Sequence, residues 1–145
     1  MNRILQILII AVLVSSCKST DQRISDQFKN NYQLFVQIKL AAFKDKILNS
    51  NLEKLTSVDK LEPKTIKTLE KLSLNDISYL ILSKTDCLES KERSIEIIFS
   101  GQWHLQYFPC DELKLKKGEH KIEGNIESWA LDNNWIVWVN HDIIG

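Results

Sequence analysis

The sequence predicts an α+β domain in which N-terminal helices pack on a C-terminal antiparallel sheet. Three observations predict this fold class. Apolar residues recur at spacings of three and four through the first half of the chain, which is typical of amphipathic helices. β-branched and aromatic residues then concentrate in short runs separated by turn residues, which is typical of strands. Only four glycines and two prolines occur among 145 residues, which argues against disorder, and the length suits a single domain, here residues 24–145.

The first half predicts one long helix and two shorter ones. The apolar stripe favours a helix from about Asp21 to Leu48, ended by the polar segment Asn49–Asn51. A three-residue spacing continues into a second helix, which ends at Glu62 because the residue before a proline avoids helical angles. A third short helix then starts near Pro63. The apolar positions of the long helix are Ile24, Phe28, Tyr32, Phe35, Ile38, Ala42 and Phe43, and those of the second are Leu52, Leu55, Val58 and Leu61.

The second half predicts strands joined by short turns. Ile77–Leu82 is an apolar run that fits either a strand or a buried helical turn. Two hairpins are predicted after this run. Their connections contain Gly, Asn and Asp, which tolerate the positive φ that tight hairpin turns need. A separate turn is expected at 116–119. The paired segments are Ser94–Ser100 with Trp103–Phe108, and Glu127–Leu131 with Trp135–Asn140.

The start of the chain has the layout of an export signal. Arg3 supplies a positive charge, Ile4–Val14 forms an apolar stretch broken only by Gln6, and small residues precede Cys17. As a helix this stretch would measure about 16 Å. The hydrocarbon core of a bilayer is ~30 Å thick, so the stretch is too short for an ordinary transmembrane helix.

Val14, Ser15, Ser16 and Cys17 resemble the lipobox of bacterial lipoproteins. The resemblance covers the leader and Cys17 alone. It implies a signal peptide of residues 1–16 that is cleaved before Cys17. The Cys17 thiol would carry a diacylglycerol and its new amine would be acylated, with fatty chains such as palmitate. Residues 17–23 would then be a lipidated tether to a cell-envelope membrane. Lys18 stands in place of Asp, so there is no strong signal for retention in an inner membrane, and we expect the outer membrane, with the anchor facing the periplasm or the outside. An ordinary signal peptide with an incidental cysteine is the alternative.

Charge and cysteine content narrow the function classes. Removing Arg3 with the leader leaves eighteen basic and nineteen acidic residues, a formal charge of −1. A nucleic-acid surface needs a clustered excess of Lys and Arg, so we expect no nucleic-acid partner. The oxidising envelope permits a disulfide between Cys87 and Cys110, with two unpaired thiols as the alternative. Neither cysteine belongs to a closely spaced pair, which disfavours a metal site.

All four tryptophans lie in the strand half. Both faces of the last predicted strand are apolar, so that strand either lies in the middle of a covered sheet or meets a partner. Core packing is the simpler interpretation. The functional one is an aromatic surface for a protein, a peptide or a glycan. The candidate contact residues are Trp103, Trp129, Trp135 and Trp138.

The remaining candidate sites are weaker. His141 could join His104 in a metal site if their strands were adjacent, but the histidine spacing supports no such site, and we expect no metal or cofactor.

Carboxylates are the other candidate catalytic groups. Asp111 and Glu112 could serve as the acid and base of a hydrolase, as could the acids Glu119, Glu123 and Glu127. All five are more typical of solvated turns. A basic cluster on the 116–119 turn is likewise more typical of a solvated surface than of a lipid or glycan contact. Its residues are Lys114, Lys116 and Lys117.

These patterns favour a lipid-anchored, non-enzymatic binding module of the inhibitor or immunity type. The alternatives are a small hydrolase of envelope polymers and a purely structural envelope component.

Overall fold

A computed structural model describes residues 19–72, 77–84, 92–99, 102–110 and 115–142. It confirms the α+β class: helices from the first half lie against one face of a seven-stranded antiparallel sheet. The helices are α1 (Thr20–Asn30), α2 (Tyr32–Lys44), α3 (Lys46–Ser50) and α4 (Pro63–Glu70), with a 3-10 helix at Val58–Lys60.

The sheet joins two meanders through one central pairing. Its order is β1-β2-β3-β4-β7-β6-β5, and every pairing is antiparallel. Strand β7 therefore lies between β4 and β6, which places it in the middle of the sheet. The strands are β1 (Thr56–Ser57), β2 (Ile77–Ser83), β3 (Ser94–Phe99), β4 (Trp103–Tyr107), β5 (His120–Glu123), β6 (Ile126–Ala130) and β7 (Trp135–Asn140).

The prediction of a single long helix from the apolar stripe is wrong, because the segment forms three separate helices. The chain breaks at Asn31, where φ is −146° and ψ is 54°, and again at Asp45. Most of the stripe is correct, because Ile24, Phe35 and Ile38 are buried in the core on both sides of the first break, but Tyr32 is 47% exposed. Helix α1 also begins at Thr20, so residues 20–23, expected in the tether, are helical.

Asp45 fixes the second break. Its buried carboxylate caps α3, with Oδ1 accepting the backbone N–H groups of Ile47 at 2.9 Å and Leu48 at 3.1 Å. Oδ2 accepts the backbone N–H of Glu62 at 2.9 Å. One side chain therefore holds the start of α3 against the segment that leads into α4.

The second predicted helix is wrong. Its place is taken by a turn, strand β1 and the 3-10 helix. The three-residue spacing does not describe one buried face, since Leu55 is 61% exposed. Strand β1 pairs with β2, with Thr56 opposite Leu80, and that long-range pairing outweighs local helix propensity. The helix starting at Pro63 is confirmed, and β2 resolves the apolar run at 77–82 as a strand.

Both predicted hairpins are confirmed, and one strand was not predicted. Strand β5 is exposed at all four positions, so it lacks the alternation that marks a half-buried strand. It joins β6 through a tight turn at Gly124, whose φ of 59° suits the first central position of a type II′ turn. The expected turn at 116–119 is present, with Gly118 at φ 80°.

The main core lies between the helices and the sheet. Strand register aligns Leu80, Ile97, Leu105 and Val137 in one row across four neighbouring strands. All four are fully buried and belong to one apolar cluster with the helix residues. A second, smaller cluster lies at one end of the opposite face of the sheet. Its members are Leu115, Ala130 and Ile136, with Phe108 and Trp138 packed against them.

Candidate functional site

The four candidate tryptophans separate by face and exposure. Trp135 is 2% exposed and packs edge-on against Phe28 and Phe35, so it belongs to the core rather than to a contact surface. Trp103 and Trp129 lie on the same helix-side face but remain partly exposed. Trp138 lies on the opposite face and is also partly exposed. The predicted aromatic surface therefore splits into two, without Trp135.

The open face is the side of the sheet opposite the helices. Register aligns one row of side chains across its centre: Tyr79 on β2, Ile98 on β3, His104 on β4 and Trp138 on β7. We call these four the open-face row. Tyr79 is 43% exposed and the other three are partly exposed. Solvent-facing sides of antiparallel sheets are normally polar, so a row of this composition is unusual.

Hydrogen bonds and stacking fix the centre of the open-face row. The His104 and Trp138 rings are parallel, with centroids 3.6 Å apart and 8° between planes. His104 Nδ1 lies 2.6 Å from Glu96 Oε1, and Trp138 Nε1 donates to Gln106 Oε1 at 3.0 Å. His104 Nδ1 and Trp138 Nε1 each have a hydrogen-bond partner, so both rings are held in one orientation. The result is a rigid patch that combines apolar area with one carboxylate.

A second aromatic group lies at the other end of the sheet, on the helix side. Trp129 is stacked between Trp103, at 5.5 Å between centroids, and His120, at 5.0 Å. Both faces of the Trp129 ring are therefore occupied, which leaves its edge for contact. Beside this stack, Glu127 accepts from His120 at 2.8 Å and from His141 at 2.9 Å. The hydrogen bonds from His141 and His120 lower the pKa of Glu127.

A cleft of about 670 Å³ opens next to this stack, between α1 and β6. We call it the α1–β6 cleft. Residues between Asp21 and Lys29 of α1, together with Tyr32, form one wall, and the 117–118 turn with residues 129–132 forms the other. Its charged and aromatic lining includes Asp21, Asp26, Lys29, Tyr32, Lys117, Trp129 and Asp132.

A polar network of Lys39, Glu92 and Tyr107 connects helix α2 to the sheet. The Tyr107 hydroxyl donates to Glu92 Oε2 at 2.6 Å, and Lys39 Nζ lies 3.2 Å from the same oxygen. Lys39 also lies over the Tyr107 ring, 4.5 Å from its centroid. Burial, together with the Glu92 carboxylate, raises the pKa of Tyr107. The Tyr107 hydrogen bond, and then Lys39, lower the pKa of Glu92. This network is structural in character.

The metal arrangement considered for His104 and His141 does not form. Strands β4 and β7 are adjacent, but the two histidines contact carboxylates on opposite faces of the sheet, Glu96 and Glu127. Within the described ranges, no group of three or more His, Cys, Asp or Glu side chains is arranged to hold a metal ion. Nor does any described helix have the length and apolar character needed to cross a membrane.

Several predicted residues lie outside the described residues: Cys17, Cys87, Asp111, Glu112 and Lys114. Cys110 is described and is not a free thiol, but its pairing with Cys87 stays a prediction.

The remaining charged candidates have local partners or line the cleft. Glu119 accepts the Lys116 backbone N–H at 2.8 Å, and Glu123 is ion-paired with Lys121 at 2.6 Å. Lys117 lines the α1–β6 cleft.

Sequence reasoning missed the open-face row because its members lie far apart in the chain. The sequence places Tyr79 in an apolar run and Ile98 in a predicted strand, without assigning either residue to a face of the sheet. The available signal was β7, which is apolar on both faces although the helices cover only one. Comparison with known proteins returned no match to a family model, to a curated protein or to a solved structure.

Proposed function

We propose that this protein is a lipid-anchored, non-enzymatic binding module of the bacterial cell envelope. Its lipobox supports an anchor on Cys17, in the outer membrane and facing the periplasm or the outside. We further propose that it binds a partner protein in the manner of an inhibitor or immunity protein. The contact surface is the open face of the sheet.

The open-face row is the observation that carries this proposal. Protein interfaces are enriched in aromatic residues at a packed centre with polar groups around it. Trp138 and Tyr79 supply aromatic area, while Glu96 and Gln106 supply polar groups beside it. The His104–Trp138 stack is already ordered, which reduces the side-chain entropy that would be lost on binding. These features support a preorganised contact surface.

A photo-crosslinking experiment on native membranes tests the proposal. A benzophenone amino acid replaces Tyr79 in the full-length, acylated protein, and irradiated adducts are separated by size. We expect an adduct of one discrete mass. The same residue placed at Ile122 is the matched control, because Ile122 is 64% exposed but lies away from the open face.

The adduct must also depend on Trp138. We expect Trp138→Ala to reduce its yield at least fivefold, with protein abundance unchanged. An adduct from Ile122 as strong as that from Tyr79, or one that persists in the Trp138→Ala protein, would reject the open face as the contact surface.

A further inference from the structure

The α1–β6 cleft lies beside the point where the chain leads to its anchor. Helix α1 begins at Thr20, three residues after Cys17. Three extended residues span at most ~11 Å. Given the lipid anchor of the proposed function, on which this inference rests, the start of α1 lies within about that distance of the membrane surface.

The wall of the cleft formed by α1 contains the residues nearest the anchor. Asp21 and Gln22 line the cleft and follow Thr20 directly. Lys117 and Trp129 line the opposite wall. A bilayer held at Thr20 is therefore next to the mouth of the cleft, whereas Trp138 lies on the other face of the sheet.

The aromatic lining suits a membrane interface. Tyr32 is 47% exposed at the cleft, and the Trp129 ring presents its edge there. Tyrosine and tryptophan concentrate at membrane–water interfaces because their rings combine an apolar body with a polar group.

The charged lining has both signs. Lys29 and Lys117 are basic, and Asp21 is acidic. Asp132 also lines the cleft, but its Oδ1 accepts the backbone N–H groups of Asn134 at 2.8 Å and Trp135 at 2.7 Å. A zwitterionic aminophospholipid headgroup carries a phosphate and an ammonium group, which match the two lysines and Asp21. The cleft volume of about 670 Å³ also falls within the usual range for ligand sites.

We propose that the α1–β6 cleft faces the anchoring bilayer and binds aminophospholipid headgroups, with Lys29 and Lys117 on the phosphate and Asp21 on the ammonium. The occupant is thus the lipid surface itself. The module would then be held in a fixed orientation rather than turning freely on its anchor.

Fluorine NMR of the acylated, full-length mature protein tests this orientation. The protein carries 5-fluorotryptophan and is placed in phosphatidylethanolamine nanodiscs containing a lipid with a nitroxide on its headgroup. Single Trp→Phe variants assign the four resonances. We expect the Trp129 resonance to broaden at least threefold more than that of Trp138, which is the internal control. Equal broadening, or stronger broadening of Trp138, would overturn the orientation.

A longer tether distinguishes headgroup binding by the cleft from simple closeness of the cleft to the bilayer. Ten Gly and Ser residues inserted after Lys18 add a flexible segment of roughly 17 Å. We expect the Trp129 broadening to persist, to fall at least twofold in the Lys29→Gln/Lys117→Gln double variant, and to stay unchanged in the Lys64→Gln/Lys67→Gln control on α4. Loss of broadening with the long tether would overturn headgroup binding. Equal broadening in phosphatidylcholine nanodiscs would overturn the choice of aminophospholipid.

The intact mass of each sample is measured first. A protein without acyl chains refutes the anchor and hence the proposed function, whereas an acylated protein without the Trp129 effect refutes only the headgroup site. In the acylated protein, crosslinking from Tyr79 tests the open face independently of the headgroup site.

Discussion

The imidazole ring of His104 lies parallel to the indole ring of Trp138, with 3.6 Å between their centroids. The two residues are direct cross-strand partners on β4 and β7, the strands that join the two halves of the sheet. Aromatic pairs contribute about 0.5–1.5 kcal/mol beyond the area that they bury. The stack therefore stabilises the central pairing and also orders the open face.

Trp135 and Trp138 form a matched pair, because they lie on one strand but on opposite faces. We expect Trp135→Ala to lower the free energy of unfolding by about 3–5 kcal/mol, since it leaves a cavity in the core. Trp138→Ala should cost about 1–2 kcal/mol, mainly the stacking and a hydrogen bond. Urea unfolding measures both values. Equal losses would show that Trp138 is as much a core residue as Trp135.

Asp45 is predicted to be the most sensitive acid of the helical layer. Asp45→Ala removes the α3 cap, worth about 1 kcal/mol. It also leaves the Glu62 N–H without its acceptor, at a cost of about 1–3 kcal/mol. We expect a total loss near 3 kcal/mol in chemical unfolding. Asp59→Ala is the control, since Asp59 is exposed; a similar loss there would contradict the role given to Asp45.

The Tyr107 hydroxyl should matter to both stability and titration. Tyr107→Phe removes the hydrogen bond to Glu92, which we expect to lower stability by about 1 kcal/mol. The pKa of Glu92 should rise toward its ordinary value, because the donor that lowers it is gone. Carbon-detected NMR of the carboxyl group follows this titration. The exposed Tyr79 provides the comparison, and Tyr79→Phe should leave both quantities unchanged.

Glu127 should make part of the stability depend on pH. Its folded-state pKa is lowered by the hydrogen bonds from His141 and His120. A carboxyl group of this kind stabilises the fold above its unfolded pKa of about 4.3, and the contribution disappears as the pH falls through the folded value. We therefore expect the native protein to exceed Glu127→Gln in stability at pH 5.5, and this difference to shrink as the pH falls below the unfolded pKa.

The titration of Glu127 provides the direct control. In the His120→Asn/His141→Asn double variant, its pKa should return toward the ordinary carboxyl range. An unchanged pKa would mean that the two histidines do not cause the shift.

The predicted disulfide can be checked by peptide mapping without reducing agent. We expect one linked peptide containing Cys87 and Cys110, which enclose 22 residues. The chain-entropy estimate for a loop of this size is roughly 3 kcal/mol. The reduced protein should therefore unfold at lower urea concentration. Recovery of Cys87 as a free thiol from freshly extracted protein would refute the pairing.

Local patterns predicted most elements but not their interruptions. The stripe from Ile24 to Ile38 identified the buried side of the helical layer, because helical spacing directly reflects which side is covered. The break at Asn31 was not predicted, because the apolar spacing continues across it from Phe28 to Phe35 despite the adjacent Asn30 and Asn31. Strand β5 was missed for a different reason: it is held by pairing with β6, while its own side chains are exposed.

The sequence by itself determined the fold class, the two predicted hairpins, the helix at Pro63 and the lipobox resemblance, because each depends on neighbouring residues. Tertiary structure alone decided that Trp135 is core while Trp138 is surface, and that Tyr79, Ile98 and His104 share its row. The physical reason is strand register. Residues far apart in the chain become neighbours only when hydrogen-bonded strands align, and no local pattern specifies that alignment.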